Sequence, residues 1–361
     1  MGRYWAARLA LFAFALILPA CGIGGSSAGV SGLPGGAVVP AFTQASAFQP
    51  SAKIPIPPSG HAYFAAYVNL SNCEGCLQQI EDDTESLEKT VGRKFAIHNH
   101  YYDFPDVNST HLRGDPGIQA DLARGRYPMI SWRCSVTLHA VINGDEDSII
   151  QNAARALKGL NTPVMLRFCW EFNGGPWMCT ASPCPNHFAP KLFDPSYSTV
   201  QKGREFQQAW QHIYKIFQSQ AATNVSFYYC PDGSPTQGKD RIIYAYPGAA
   251  YVDWKGFDAY DTHSIGLYNT YLRHYGTMTK YLKDGVPLMI GETNERFKNG
   301  SPWTQEQYYK DEVSHIPSTF PAIKAVSLFV GINPNTGDDW EPDASGLLQM
   351  PIWGRSSTFH F

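Results

Sequence analysis

Pro163-Val-Met-Leu-Arg-Phe-Cys-Trp-Glu-Phe-Asn-Gly174 is a short apolar run that ends on a carboxylate, Glu171. A second run, Pro287-Leu-Met-Ile-Gly-Glu-Thr-Asn294, ends on Glu292. Short apolar runs bounded by Pro and Gly read as buried β-strands. A carboxylate ending a buried strand is costly to desolvate without partners, so its position points to function. Two of them, each followed by an Asn-containing turn, suit the acid and the nucleophile of glycosidic-bond hydrolysis.

Further β-like runs lie outward from these two, at His61–Leu70, Phe95–Phe104, Tyr127–Ser135, Val225–Pro231, Val252–Tyr260 and Ile323–Ile332. Helix-like stretches alternate with them. Asp145–Lys158 has apolar or small residues at helical spacing, and Tyr197–Ala221 carries Phe206, Trp210, Ile213 and Phe217 on one face. Leu267–Lys283 and Thr304–His315 follow, with a weaker signal over Asp115–Arg126 and little helix signal in the link after Asp232. Eight strands alternating with helices predict an α/β fold, a (β/α)8 TIM barrel, as a single catalytic domain over residues 60–361. A doubly wound open sheet is the alternative. No Gly-x-Gly-x-x-Gly loop follows the first strand and no Gly-x-Ser-x-Gly elbow occurs, which disfavours nucleotide-binding and α/β-hydrolase versions.

Active sites of such barrels gather at the C-terminal ends of the strands. By the strand count, Glu171 ends strand 4 and Glu292 ends strand 7, nearly opposite around the ring. Strict alternation puts Arg167, Cys169 and Glu171 on one face, and Leu288, Ile290 and Glu292 on another. Both series are expected to point inward, so that the carboxylates meet over the barrel mouth.

The formal charge of −3 gives no reason to expect a nucleic-acid partner. Aromatic residues make up 14% of the chain, and the excess of Trp and Tyr suits stacking on sugar faces. Residues 1–20 read as an export signal, with Arg3 and Arg8 ahead of an apolar stretch, Leu9–Leu18, too short to span a bilayer. Leu18-Pro-Ala-Cys21 resembles a bacterial lipobox, with Pro19 as a departure, so Cys21 is a candidate lipid anchor. A periplasmic or cell-surface lipoprotein is expected, with ordinary secretion as the alternative. Residues 21–59, rich in Gly, Ser, Ala and Pro, read as a flexible tether. The eight cysteines of an exported chain are expected to form structural disulfides. Cys73-x-x-Cys76 and Cys179-x4-Cys184 suit small disulfides better than zinc, and lipidation of Cys21 would leave an odd cysteine free. A monomer is expected.

Three motifs resemble glycoside hydrolase family 26, within the clan of retaining (β/α)8 glycosidases, and the likeness runs from about residue 61 onward. They are Leu166-Arg-Phe-Cys-Trp-Glu-Phe-Asn-Gly174, Tyr246-Pro-Gly-Ala-Ala-Tyr-Val-Asp-Trp-Lys-Gly-Phe-Asp-Ala-Tyr-Asp261, and Pro287-Leu-Met-Ile-Gly-Glu292. The resemblance implies Glu171 as general acid/base, Glu292 as nucleophile, Tyr260 as a hydrogen-bond donor to the nucleophile, and Arg167 as a charge ordering the inner carboxylates. Trp170 stands where mannanases of the family typically carry His, which puts mannan specificity in question more than hydrolysis. Trp132, Trp177 and Trp303 are candidate sugar platforms. Asn173 is expected to position the rim, through substrate hydroxyls or by capping its own turn, and His98 is a further substrate-binding candidate. Each has a plain structural alternative: Glu171 could simply pair with Arg167, Glu295 rivals Glu292, and His98 suits a satisfied core histidine.

The expected activity is endo-acting, retaining hydrolysis of a β-linked polysaccharide, whether mannan, mixed-linkage glucan or xylan. No cofactor is required, and no metal site or EF-hand-type loop is expected. A non-catalytic carbohydrate-binding lipoprotein and a transglycosylase acting on an exopolysaccharide are the alternatives.

Overall fold

The computed structural model describes residues 52–360, apart from 74, 175–191, 195, 234–237, 263–264, 296–304, 312–314 and 334–336. The eight strands are β1 (Tyr63–Asn69), β2 (Ile97–Tyr102), β3 (Tyr127–Trp132), β4 (Val164–Phe168), β5 (Val225–Tyr229), β6 (Trp254–Phe257), β7 (Leu288–Thr293) and β8 (Ile323–Gly331). All neighbouring pairs are parallel and β8 returns to β1, closing the barrel. Every expected strand is present, trimmed by one to three residues at most ends.

The helices between them include α1 (Leu77–Val91), α2 (Ser109–Gly114), α3 (Pro116–Arg124), α4 (Leu138–Asn143), α5 (Asp147–Lys158) and α6 (Thr199–Ser219). They continue with α7 (Lys239–Ala245), α8 (Gly266–Gly276), α9 (Gln305–Asp311), α10 (His315–Thr319) and α11 (Ala344–Arg355). Helix α6 begins with a capping box: the Ser198 hydroxyl accepts from the Gln201 N–H, and the Gln201 side chain accepts from the Ser198 N–H at 3.0 Å. Its predicted apolar face, Phe206, Trp210, Ile213 and Phe217, is buried against the barrel.

Helix α7 occupies part of the link in which little helix was expected. Helix α1 also escaped the sequence reading, for a physical reason. Its buried face includes Glu81 and Glu88, whose charges meet the fully buried Arg126 guanidinium at the start of β3. The two glutamates and Thr84 interrupt, on the inward face, the apolar period that Leu87 and Val91 carry.

Two cores result from strand alternation. Leu166, Phe168, Phe227, Tyr229, Leu288, Ile290, Val326 and Leu328 face the helices, whereas Ala65, Ile97, Met129, Met165, Tyr228, Met289 and Ala325 fill the barrel. The inner core extends below the predicted domain start. Ile54 is buried among the barrel-filling residues, its N–H donates to Ser226 Oγ (3.0 Å), and Lys53 pairs with Asp253 (2.5 Å). The tether expected over 21–59 therefore gives way to packed chain by residue 53. The expected signal and most of the tether lie outside the described residues.

Candidate active site

Arg167 sits on the inner face of β4, and the strand stops one residue later. Cys169 (φ 52°) and Glu171 (φ 54°) then adopt left-handed backbone conformations, which are uncommon without glycine. The chain changes partners through this turn. Cys169 N–H donates to Trp132 O of β3 (2.9 Å), and Glu171 N–H donates to Cys230 O at the end of β5 (2.9 Å). The expectation that Arg167, Cys169 and Glu171 share a face is corrected here. Cys169 is turned to the helix-side core and bonded to Cys134, while Trp170 packs among the barrel-filling residues.

On β7 the expected alternation also fails, with the opposite benefit. Leu288 and Ile290 face the helices, so strict parity would put Glu292 outside as well. The β7–β8 register shifts between Ile290 and Thr293, adding a residue on β7, and this bulge brings Glu292 inward. Gly291 lies where any side chain would collide with the site: an added Cβ would come within 2.4 Å of Asp258 Oδ1 and 2.6 Å of Cys230 Sγ. Thr293 then points outward, its hydroxyl donating to Ala259 O (2.8 Å).

Arg167 is the hub. Fully buried, it donates through Nη1 to both Asp258 oxygens (3.1 Å each), through Nη2 to Glu292 Oε1, and through Nε to Ser131 Oγ (2.8 Å). Tyr101 OH donates to Glu292 Oε1 (2.6 Å) and Tyr260 OH to Glu292 Oε2 (2.6 Å). Burial and the Glu292 charge push both phenols well above their ordinary range, so they remain protonated donors. Glu292 is thus held by three donors, Arg167, Tyr101 and Tyr260. The Cys230 thiol donates to Asp258 Oδ1 (3.0 Å).

Glu171 is partly exposed at the mouth. Its carboxyl is held well above the usual range, first by burial and then by the charges of Asp232, Asp258 and Glu292, with Arg167 opposing. One oxygen from each of Glu171, Asp258 and Glu292 lies within 4.8 Å of the others. Such a group of oxygens could attract a cation, but Arg167 already supplies positive charge to two of the three. A protonated carboxyl beside a donor-held carboxylate is an acid–nucleophile pair.

Tyr101, Asp232 and Cys230 were not singled out in the sequence. Strand parity alone identifies Tyr101: it shares the inner face of β2 with Ile97 and ends it. An aromatic collar also forms at the mouth. Tyr67 packs against Tyr101 (centroids 4.8 Å) and Phe329 (5.2 Å), and Tyr260 against Trp340 (4.4 Å). Trp170 joins it, leaning on Tyr101 (5.3 Å) with the Arg167 guanidinium 5.2 Å from its ring centroid.

Other expected site residues lie elsewhere. Trp132 is fully buried on the outer face of β3, stacked on Phe104 at 4.6 Å and donating to Phe104 O (2.9 Å), so it offers no face to a sugar. His98 has the wrong parity: buried outside the barrel, it bonds Asp121 Oδ1 (2.9 Å) and Thr84 Oγ1 (3.3 Å). Asn173 neither caps its own turn nor faces the cavity. Its amide donates to Asp232 O (2.9 Å) and accepts from Asp232 N–H (2.7 Å), joining the β4 turn to the end of β5. Glu295 is buried just beyond the end of β7, where its carbonyl oxygen accepts from the Gln305 side chain of α9 (3.2 Å). Trp177, Trp303, Cys179 and Cys184 lie outside the described residues. Cys73 and Cys76 are bonded to each other, and Cys230 is a free, buried thiol.

A family-wide sequence profile described as Glycosyl hydrolase family 26 matches residues 117–323, a stretch containing both Glu171 and Glu292. Endoglucanase H of Acetivibrio thermocellus is 24% identical over 297 residues, covering 78% of this chain. The chain spans only 30% of that relative's length. Among solved structures, an endo-beta-1,4-mannanase double mutant from Cellulomonas fimi superposes with a TM-score of 0.61 at 15% identity, over 84% of this chain and 72% of that one. The YdhT protein of Bacillus subtilis gives 0.56 at 17% identity, over 81% and 85%. At such identities these two likenesses speak to the fold.

Proposed function

This chain belongs to glycosyl hydrolase family 26, and on that premise we propose that it is an endo-acting, retaining hydrolase of a β-linked polysaccharide. The observation that carries the reading is the pairing of Glu171 and Glu292 across the mouth, their oxygens within 4.8 Å, one carboxyl favouring its proton and the other held by three donors. A short separation supports direct attack over an intervening water, for which inverting enzymes leave about 6.5–9.5 Å between carboxyl groups.

Glu171 gives its proton to the glycosidic oxygen while a Glu292 oxygen attacks the anomeric carbon, forming a glycosyl ester and releasing the leaving sugar. Glu171, now ionised, takes a proton from water, whose oxygen attacks the anomeric carbon and frees Glu292. Arg167, Tyr101 and Tyr260 hold Glu292 in place for attack, and the aromatic collar supplies apolar faces for sugar rings. The names of the relatives favour β-glucan and β-mannan as first substrates, with β-xylan next.

The Arg-containing leader and Cys21 support export to the periplasm or cell surface with a lipid anchor, and two disulfides suit an oxidising compartment. Mass spectrometry of the mature N-terminus tests the anchor: a diacylglyceryl group on Cys21 supports it, and an unmodified residue there refutes it. The activity test is oligosaccharide release from β-mannan, mixed-linkage glucan and β-xylan, with Glu292→Ala alongside. Internal cleavage of one polymer, lost in Glu292→Ala, supports the proposal. A folded protein that releases nothing from all three, or an active Glu292→Ala, overturns it.

A further inference from the structure

Resting on the role proposed for Glu171, we propose that the Cys134–Cys169 disulfide is a positioning device for that carboxyl group. The cross-link fixes the left-handed turn from which Glu171 reaches the substrate.

The turn is held from two sides. Toward β5 the ties are hydrogen bonds: Glu171 N–H to Cys230 O, and the two Asn173 amide bonds to the Asp232 backbone. Toward β3 there is one backbone bond, Cys169 N–H to Trp132 O, and the disulfide beside it. Cys134 is itself anchored. Arg133 N–H donates to Tyr102 O (2.9 Å), and Ser135 Oγ accepts from Phe104 N–H (3.0 Å), so the residues flanking Cys134 are fastened to the segment that begins at the end of β2.

Cys169 is two residues from Glu171, and both are non-glycine residues with positive φ. A β-carbon disfavours that conformation, so a chain released at 169 relaxes toward φ below zero. Rotation there swings the following residues, and Glu171 is the group whose aim changes. The sulfur pair is fully buried on the helix side, away from the cavity, and touches no substrate. Its action on chemistry therefore runs through backbone geometry.

The test uses the oxidised full chain on two aryl β-glycosides of the same disaccharide, one with a phenyl and one with a 2,4-dinitrophenyl leaving group. Cellobiosides and mannobiosides are both made, and whichever sugar is turned over is used. A phenoxide needs the acid to leave; a dinitrophenoxide does not. Cys134→Ala/Cys169→Ala lowers the phenyl rate roughly 10- to 100-fold relative to the dinitrophenyl rate, as for a displaced catalytic group. Cys134→Ala/Cys169→Gly recovers part of the ratio, because glycine adopts positive φ without steric cost. A packing role alone makes the glycine pair, with its larger void, the worse of the two. Glu171→Ala shows the same leaving-group signature more strongly. If it does not, the acid assignment falls and this proposal with it. If Glu171→Ala shows the signature while the cysteine variants slow both substrates equally, or neither, the positioning role alone is overturned. Near-UV circular dichroism confirms the fold. Should the alanine pair not fold, Cys134→Val/Cys169→Ala, which leaves a smaller void and spares Cys230, is read by the same ratio.

Discussion

Arg167→Met tests whether one buried cation organises the site. The substitution keeps an unbranched side chain of similar length and removes the guanidinium. Asp258, fully buried, loses two 3.1 Å bonds, and Glu292 loses its charged donor. Breaking a buried pair by removing one partner costs about 3–5 kcal/mol, because a charge is left unmatched in the interior. At roughly 2 °C per kcal/mol for a domain of this size, the melting temperature falls by roughly 6–10 °C at neutral pH. The penalty depends on pH with a definite sign. Without Arg167, the Asp258 carboxyl is driven further above its unfolded value than burial and Glu292 already place it. A carboxyl raised in the folded state destabilises at high pH and ceases to do so once protonated. The deficit against wild type therefore shrinks on going from pH 7 toward pH 4. Calorimetric melts of both proteins across that range are the assay, with turnover measured in parallel and expected to be nearly lost. A variant as stable as wild type at pH 7, or one whose deficit grows toward acid, would refute the reasoning.

Three further outcomes are expected. Tyr260→Phe removes a 2.6 Å donor from Glu292 Oε2; a hydrogen bond to a charged group is worth about 1.5–3 kcal/mol, so the melting temperature falls by roughly 3–6 °C, and kcat/KM falls roughly 10- to 100-fold as Glu292 loses a group that holds it in place for attack. Asp232→Asn removes a negative neighbour that raises Glu171, while keeping the main-chain bonds to Asn173. Because catalysis needs Glu171 protonated, the alkaline limb of the kcat/KM profile moves to lower pH, and an unmoved limb contradicts the assigned cause. Trp132→Phe loses the bond to Phe104 O and is destabilised by about 1–3 kcal/mol, with KM unchanged; a raised KM would return Trp132 to the substrate site.

The sequence alone determined the barrel, because its strands are short apolar runs and helix α6 carries its core face at helical spacing. It also singled out the two carboxylates, since charged residues ending buried strands need a reason to be there, while Tyr260 came from the resemblance to the family. It misjudged the direction of side chains wherever the backbone departs from strict alternation. The left-handed turn at Cys169 and Glu171 and the bulge on β7 each reverse a face, and both arise from pairing with strands distant in sequence. Helix α1 has Leu87 and Val91 on its buried face, but Glu81 and Glu88 break that face's apolar period and are matched only in space, by Arg126. His98 and Trp132 were drawn toward the site by residue type, when parity places both outside the barrel. Tyr101, Asp232 and Cys230 come from strands 2 and 5. What joins them to Glu171 and Glu292 is barrel closure, which brings positions far apart in the chain into one site around Arg167.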